Sequence, residues 1–517
     1  MKRNNLTTAI LAGITGVAGI ASVSNAVNLN PDGTGQVLVY PYYTVNNGLD
    51  TLISVVNTTD QSKAIKVRFL EGRNSRECLD FNIFLSPYDV WVAALTATNA
   101  TPLFSGSSHE GQETVHIKAY DNSCIDPAVI ATTGYEFLPY GYDPGDNGSL
   151  ADGYDNQGLN LSRCTEGHFE MIDMGDITDA ATQAGVKHGT NGKPADCSVP
   201  IGNFSVGEIW DAVTVPAVAA TGIDVSSGGI FGSVAIVDST GGTAIAYNAD
   251  AISGYALTEK ITDPGDLRPS LSSGDDFFSH IFDNKGNAID DEWNQSTVQA
   301  ISAVYMHDSI YGEYVLDNGI NAKTEWVVTF PTKTFYVDSL NAIGPTPYEP
   351  FTENLTKEAG SCEVYTFEYY DREEQVPDAR LVGRPPSPRP PGVGSTDAVF
   401  CWETNVLEFE NSTRSSGDSI VLGSKNTTHF STQSVAEQAA TTTTPAVSAA
   451  YFTEGWIAIH FAQSTDDNDD GTVYTGLPVT GFAVQSFARG NLTDDEGNLV
   501  KANYAGLFQH RYSRSIN

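Results

Sequence analysis

The sequence predicts a mainly β fold of tandem antiparallel β-sandwiches with few short helices and an immunoglobulin-like N-terminal domain. The stretch Val37–Ala97 contains five short runs rich in Val, Ile, Tyr, Phe and Trp, each bounded by Asn, Asp, Gly, Ser or Pro. Such runs at roughly ten-residue spacing are typical of antiparallel sandwiches. Within residues 64–70, apolar side chains alternate with Lys66 and Arg68, which is the period of a half-buried strand. A single sheet cannot bury so many apolar residues, so two packed sheets are expected.

Strand patterns continue along most of the chain. The turn Glu71–Ser75 is expected to join two of the first runs as a hairpin, and Gly229–Asp238 is expected to pair with Thr243–Ala249 across a glycine turn. The remaining predicted strands are Thr114–Tyr120, Gly167–Met174, Thr324–Phe330, Lys333–Val337, Cys362–Tyr370, Val399–Phe409, Tyr451–Phe461, Val479–Ala488 and Ala502–Tyr512.

One segment, Ser296–Met306, is predicted to be a helix. Ser296 can cap it, and Gln299 follows three residues later, which is the spacing of a capping box. Apolar residues then recur at helical spacing on one face, which Ser302 interrupts.

The first 26 residues have the pattern of a secretory signal peptide. Lys2 and Arg3 precede the apolar run Ala9–Val23, and Ser24–Ala26 is a small-residue cleavage site. The mature chain is expected to begin at Val27, and no later run of about 18 apolar residues predicts a transmembrane helix. The expected location is extracellular or at the cell surface, with the periplasm as the alternative.

Domain boundaries are expected in long polar loops. The predicted division is a signal peptide over 1–26, an immunoglobulin-like sandwich over 27–125, and a second β-rich domain with long loops and one helix over 126–345. A C-terminal β-rich segment over 346–517 contains the proline-rich loop Arg384–Pro391. This last segment is either separate or part of the second domain.

The chain is strongly acidic, with a formal net charge of −37. Binding to nucleic acid requires clustered Lys and Arg, so nucleic acid is not an expected partner. An acidic surface favours solubility and attracts divalent cations, and a solvated surface without a ligand is the alternative.

Six cysteines predict disulfides, because their number is even and the chain carries an export signal. Pairing in sequence order is expected, since it keeps each bridge within one domain. The pair Cys362–Cys401 has the best support, because both residues lie at the edges of strand-like runs that flank the proline-rich loop. A cysteine metal centre is not expected, because no CxxC spacing occurs. The six are Cys78, Cys124, Cys164, Cys197, Cys362 and Cys401.

The sharpest local signal is Asp466–Gly471, whose pattern D-x-N-x-D-G matches the first half of a calcium-binding loop. Asp466, Asn468 and Asp470 would supply oxygen ligands. Position twelve of the loop is Leu477 rather than an acid, so a Ca²⁺ site there needs a ligand from another segment. The alternative is a solvated acidic turn without any cofactor.

The loop 140–156 offers two further candidates. Its aspartates form a cation candidate of irregular spacing, and its tyrosines, if exposed, are candidates for stacking on sugar rings. These residues are Asp143, Asp146, Asp152 and Asp155, and Tyr140, Tyr142 and Tyr154.

No catalytic motif is found in the sequence. A G-x-S-x-G elbow is absent, and His109–Glu113 begins like a zinc-binding helix but lacks the second histidine. A pair of carboxylates for glycoside cleavage is an open alternative, because 64 acidic residues are present and their spacing in the fold is not readable from the sequence.

Six segments are long enough to carry a specific resemblance: Gly35–Val45, Val55–Thr59, Val67–Arg76, Glu325–Val337, Cys401–Val406 and Leu477–Phe487. They resemble a family of secreted cell-surface proteins from Gram-negative bacteria, over most of the chain after the signal peptide. The resemblance implies location at the surface. It implies no chemistry and transfers no functional residue.

These observations favour a secreted or surface-associated, non-enzymatic protein with a structural, adhesive or matrix role. Its expected partners are further copies of itself, or surface glycans and proteins. One alternative is an extracellular carbohydrate-binding protein or glycoside hydrolase. The other is a surface-layer or filament subunit.

Overall fold

The computed structural model describes residues 26–101, 109–139, 141–143, 155–205, 208–210, 221–294, 296–356, 360–377, 398–412, 414, 416–440, 446–465, 471–493, 496–497 and 499–517. Over these residues the fold is mainly β, with several antiparallel sheets and five short helices. The predicted fold class is confirmed. The immunoglobulin-like character of the N-terminal part and the domain boundaries stay predictions.

The strands of the first half of the chain are β1 (Asn28–Leu29), β2 (Val37–Thr44), β3 (Asp50–Asn57), β4 (Ser62–Glu71), β5 (Glu77–Leu85), β6 (Val90–Asn99), β7 (Glu113–Ala119), β8 (Cys124–Asp126), β9 (Tyr135–Glu136), β10 (Glu166–Ile177), β11 (Ile223–Asp224), β12 (Ile230–Asp238), β13 (Thr243–Asn248) and β14 (Asp250–Ser253). The helices are α1 (Val129–Thr132), α2 (Ala180–Val186), α3 (Ser198–Gly202), α4 (Thr297–Tyr305) and α5 (Thr334–Val337). Short 3₁₀ turns lie at Asn46–Gly48, Leu161–Thr165 and Leu271–Ser273.

The strands of the second half are β15 (Phe278–Phe282), β16 (Ala288–Glu292), β17 (Met306–His307), β18 (Ser309–Val315), β19 (Ala322–Thr329), β20 (Glu363–Asp371), β21 (Ala398–Phe400), β22 (Thr404–Glu410), β23 (Thr427–Ser431), β24 (Gln433–Val435), β25 (Ala450–Tyr451), β26 (Glu454–His460), β27 (Ser464–Thr465), β28 (Tyr474–Thr475), β29 (Leu477–Pro478), β30 (Thr480–Thr493), β31 (Leu499–Gln509), β32 (Arg511–Ser513) and β33 (Ser515–Ile516).

Two sheets carry the first half of the chain. Sheet A has eight strands, in the order β1-β14-β2-β10-β4-β5-β8 with β11 paired to β10, and sheet B has six, in the order β13-β12-β3-β6-β7-β9. Their inner faces share one apolar core, in which the rings of Tyr40 and Phe169 stack with centroids 4.0 Å apart. The five runs predicted between residues 37 and 97 are all strands here, and both predicted hairpins form.

Two five-stranded sheets carry most of the second half. Sheet C runs β21-β20-β26-β18-β32, and sheet D runs β23-β22-β19-β30-β31. Trp326 and Phe409 of sheet D pack against sheet C in a second core. The opposite face of sheet D contributes Val327 and Phe482 to the core that sheets A and B share, so sheet D is a middle layer of the molecule.

Helix α4 confirms the predicted capping box. The Ser296 hydroxyl accepts a hydrogen bond from the Val298 amide at 3.0 Å, and the Ser296 amide donates to the Gln299 side chain at 3.2 Å. The helix is buried all round, because it packs against the outer face of sheet A and also against β15, β29 and the turn Leu271–Ser273. Ser302 is tolerated there because its hydroxyl donates to the Val298 carbonyl at 2.7 Å.

The segment Lys333–Val337 was predicted to be a strand and is instead the short helix α5. Hydrogen bonds of the helical type run from the amides of Val337 and Asp338 to the carbonyls of Lys333 and Thr334. A run of four or five residues does not distinguish a strand from one helical turn by its apolar pattern, and here tertiary packing decides.

All six cysteines form disulfides, as predicted, but the expected sequence-order pairing is wrong for four of them. The bonds are Cys78–Cys164, Cys124–Cys197 and Cys362–Cys401, of which only the last was predicted as a pair. The cause is the path of β10, which returns to the middle of sheet A between β2 and β4. This return brings the turn that holds Cys164 against the start of β5, where Cys78 lies.

No helix among the described residues is both long enough and apolar enough to cross a membrane.

Candidate functional site

A cavity of about 910 Å³ opens on the outer face of sheet A. Side chains of β4, β5 and β10 form its floor, the loop 263–272 forms one wall, and residues 331–341 around α5 form another. Most of its lining surface is polar, and Phe335 is its one aromatic side chain among the described residues. A concave site of this size fits a small molecule or a short oligomer.

The floor is organised by Arg68. Its apolar neighbours on β4 point into the shared core, so strand alternation directs Arg68 to the outer face. The Arg68 guanidinium donates from Nε to Glu77 Oε2 at 3.0 Å and from Nη1 to Glu170 Oε1. Glu170 lies directly across from Arg68 on β10, so the sheet register sets this contact. All three side chains are at most 8 % exposed.

Burial controls the protonation of the two carboxyl groups. Burial and then the nearby Asp80 raise the pKa of Glu77 well above its usual range, and Arg68 acts against this rise. Burial likewise raises the pKa of Glu170, while Arg68 lowers it. The cavity floor thus combines a guanidinium donor with two buried carboxyl groups, both of which hold a proton more tightly than usual.

Lys66 binds the loop 263–272 to the floor of the cavity through hydrogen bonds. Its ammonium group donates to the Asp263 and Asp266 carbonyl oxygens at 2.5 and 3.1 Å and forms an ion pair with Asp80 at 3.0 Å. The Lys66 side chain is fully buried by these contacts. At the rim of the same loop, the exposed Arg268 guanidinium forms no ion pair with any other described residue.

A second guanidinium, that of Arg76, connects the cavity to a buried charge network. Arg76 forms an ion pair with Asp338, and its Nε lies 3.8 Å from Asp155 Oδ2. Behind it, Arg163 donates to Asp155 at 2.8 and 3.0 Å and to Glu71 at 2.8 Å. Positive and negative groups alternate through this network, so the charges inside the wall are largely compensated without a ligand.

The predicted calcium ligands Asp466, Asn468 and Asp470 lie outside the described residues. The Ca²⁺ site in that segment stays a prediction.

In the described part of the loop 140–156, the aspartates do not form a common cation site and the tyrosine is not exposed. Asp143 Oδ2 lies 2.5 Å from His109 Nε2, and Asp155 is held by Arg163, so these two aspartates contact different basic side chains. Tyr142 was a candidate for sugar stacking if exposed, but it is fully buried, with the Arg163 guanidinium 4.1 Å from its ring centre. Of the seven predicted residues in this loop, Tyr140, Asp146, Asp152 and Tyr154 lie outside the described ranges.

The alternation along β4 predicts that Arg68 and Lys66 lie on the polar face of a half-buried strand. The alternation is correct, but the face is covered by the loop 263–272 and by α5. Asp80 on β5 and Glu170 on β10 could have indicated the charged floor. With Lys66 and Arg68 on β4, they place both charge signs on one face of three neighbouring strands. Their adjacency depends on β10 pairing with β4 across about a hundred residues, which the sequence does not show.

Elsewhere, one group of side chains has the spacing of a metal site within the described residues. It consists of Glu408 and Glu410 on β22 and His429 on β23.

Comparison with protein-family models, with curated proteins and with solved structures yields no match to this chain.

Proposed function

We propose that this chain is an exported, non-enzymatic surface protein with an adhesive role, and that the cavity on sheet A binds a carbohydrate. The observation that carries the proposal is the preformed cavity whose floor sets the Arg68 donors beside the Glu77 and Glu170 acceptors. Sugar hydroxyls both donate and accept hydrogen bonds, so they match a surface that presents both kinds of group.

Charge and polarity argue against other ligand classes. Arg68 is paired with Glu77 and Glu170, and Arg76 with Asp338, so neither guanidinium in the deep part of the cavity is left without a carboxylate partner to attract an anion. A mainly polar lining offers little to a lipid or another apolar ligand. The predicted signal peptide and the three disulfides support an extracytoplasmic location, where a glycan is an available partner.

A glycan array followed by calorimetry on the chain from Val27 tests this proposal. Two rim substitutions, Arg268→Ala and Asn341→Ala, are expected to weaken binding of the selected glycan by about 5- to 30-fold each, as for the loss of one or two hydrogen bonds. The matched control is Arg372→Ala, which removes an arginine outside the cavity and is expected to leave affinity unchanged. Absence of any bound glycan, or equal affinity in all three variants, would refute the proposal.

A glycoside hydrolase is the second candidate. It is favoured by the two carboxyl groups on the cavity floor, Glu77 and Glu170, because glycoside cleavage uses a pair of carboxyl groups and burial raises the pKa of Glu77 well above its usual range, as a proton donor requires. Release of reducing ends from the selected glycan, abolished by Glu77→Gln, would favour the enzyme over the adhesin. Assembly into a surface layer or filament stays a prediction.

A further inference from the structure

A second cluster of charged side chains lies on sheet D, away from the cavity. Glu408 and Glu410 are two residues apart on β22, so both side chains point to the same face. Strand β23 runs parallel to β22, and its His429 lies directly beside Glu408 in the register. One potential ligand atom from each residue lies within 4.8 Å of the others. The three side chains are at most 5 % exposed.

The imidazole of His429 is oriented by its second nitrogen. Nε2 lies 3.0 Å from the Gly417 carbonyl oxygen, which can only accept, so Nε2 carries a hydrogen. Nδ1 is left facing the carboxylates, 3.3 Å from Glu408 Oε2 and 3.5 Å from Glu410 Oε1. It makes no hydrogen bond with any described residue. A histidine whose far N–H binds a backbone carbonyl while its other nitrogen faces acids has the arrangement of a metal ligand.

A cation already lies at this position. Arg414 Nη1 is 2.6 Å from both carboxylate oxygens of Glu408 and 3.0 Å from Glu410 Oε1. Arg414 follows β22 in a loop, and its side chain is 30 % exposed, whereas the three acceptor residues are buried on strands. The guanidinium therefore lies on the solvent side of the cluster, where it also donates to the Asp418 carbonyl oxygen at 2.5 Å.

Negative charge is in excess around the cluster. Glu325, opposite Glu408 on β19, is also on this face, and its carboxylate accepts from the Val421 and Leu422 amides at 2.6 and 2.9 Å. Arg414 brings one positive charge to a face that holds three carboxyl groups, and a divalent ion would bring one more.

We propose that Glu408, Glu410 and His429 bind a divalent transition-metal ion, with Zn²⁺ as the best fit, in exchange for the Arg414 guanidinium. One imidazole nitrogen with two carboxylates is a donor set that Zn²⁺ and Co²⁺ accept. Ca²⁺ and Mg²⁺ take oxygen ligands, so this site differs in chemistry from the calcium loop predicted at Asp466.

The test uses chain treated with a chelator and then titrated with Co²⁺, whose visible absorption reports a low-symmetry nitrogen and oxygen site. Zn²⁺ affinity is measured in parallel by calorimetry. One ion per chain is expected in the wild type. Arg414→Met is expected to bind at least about tenfold more tightly, since the competing cation is gone, and His429→Gln at least about 100-fold more weakly. The matched control His460→Gln, which changes a part-exposed histidine on sheet C, is expected to match the wild type.

The Arg414→Met result separates a metal site from a purely structural ion cluster. If Arg414 only neutralises Glu408 and Glu410, its loss lowers stability and gives no tighter binding and no Co²⁺ absorption, which overturns the proposal. Equal Zn²⁺ binding by the wild type and both variants also overturns it, because the ion would then reside elsewhere on the acidic surface. Since Arg414 is the most exposed member of the cluster, this variant stays informative if His429→Gln fails to fold.

Discussion

Arg163 shows at the scale of a single residue how this chain keeps charges in its interior. Its guanidinium is bidentate to Asp155, contacts Glu71 at 2.8 Å, and lies over the ring of Tyr142. Its side chain is 1 % exposed, so each donor must find its partner within the protein. Removing the arginine alone from such a cluster lowers stability strongly, because its acidic partners stay buried with uncompensated charge.

Substitution Arg163→Met is therefore expected to lower the free energy of unfolding by about 3–5 kcal/mol. The comparison is Arg372→Met, which breaks the ion pair of a 65 % exposed arginine with Glu454. An exposed pair contributes about 0–1 kcal/mol, so this variant should unfold close to the wild type. Urea denaturation of both variants measures these free energies of unfolding. Equal losses of stability in the two variants would contradict the role assigned to the buried network.

Lys333 gives a pH-dependent prediction. It is 1 % exposed, its ammonium group donates to the Ser361 carbonyl oxygen, and burial lowers its pKa to about 8. Above about pH 8 the native chain releases this proton while the unfolded chain, with an ordinary lysine pKa of about 10.4, keeps it. Unfolding then takes up a proton, so the free energy of unfolding contributed by Lys333 rises with pH, by up to about 1.4 kcal/mol per pH unit.

The measurement is urea denaturation between about pH 7.5 and 9, where few tyrosines of the unfolded chain are ionised. Lys333→Met should remove this part of the rise, and Lys187→Met, at an exposed position, should retain it. Identical pH profiles for the wild type and Lys333→Met would show that Lys333 stays charged in the native state.

At the scale of elements, short-range signals predicted short-range structure. The strands around Ile65 and the capping box at Ser296 were readable because alternation and capping act within a few residues. Lys333–Val337 was misassigned because one helical turn and one short strand share an apolar pattern. The cavity was not predictable, since its floor requires β10 to insert between β2 and β4, and no local residue specifies this pairing.

The disulfides give the prediction at this scale. Peptide mapping of the non-reduced chain should recover Cys78 linked to Cys164, and Cys124 linked to Cys197. Removing the first bridge with Cys78→Ala and Cys164→Ala is expected to cost about 4–5 kcal/mol, because it frees a loop of 86 residues in the unfolded chain. Recovery of Cys78 linked to Cys124 would instead support pairing in sequence order and contradict the position of β10.

At the scale of the whole molecule, the shared core joins distant parts of the chain. Phe482 of sheet D lies 4.9 Å from Tyr247 of sheet B and 6.5 Å from Tyr42 of sheet A, measured between ring centroids. Strands on both sides of the predicted boundary at residue 125 also pair within sheet A. These contacts favour unfolding of the three sheets as one unit.

Hydrogen exchange followed by mass spectrometry tests this cooperativity. Phe482→Ala is expected to lower the free energy of unfolding by about 3–5 kcal/mol. The amide protection of β4 and of β22 should fall by the same free energy. Tyr88→Ala, at a 69 % exposed position, serves as the control and should change neither. Loss of protection in β22 alone would indicate that the two halves unfold independently, which would favour the predicted division into domains.

The bridges Cys78–Cys164 and Cys124–Cys197 interleave along the sequence. The chain is synthesised from its N-terminus, so Cys78 meets Cys124 before Cys164 exists. Oxidation that keeps pace with synthesis therefore produces a wrong bridge first, and the native bonds follow only after thiol–disulfide exchange. Under that condition, the yield of natively bonded chain should be limited by disulfide isomerisation rather than by oxidation.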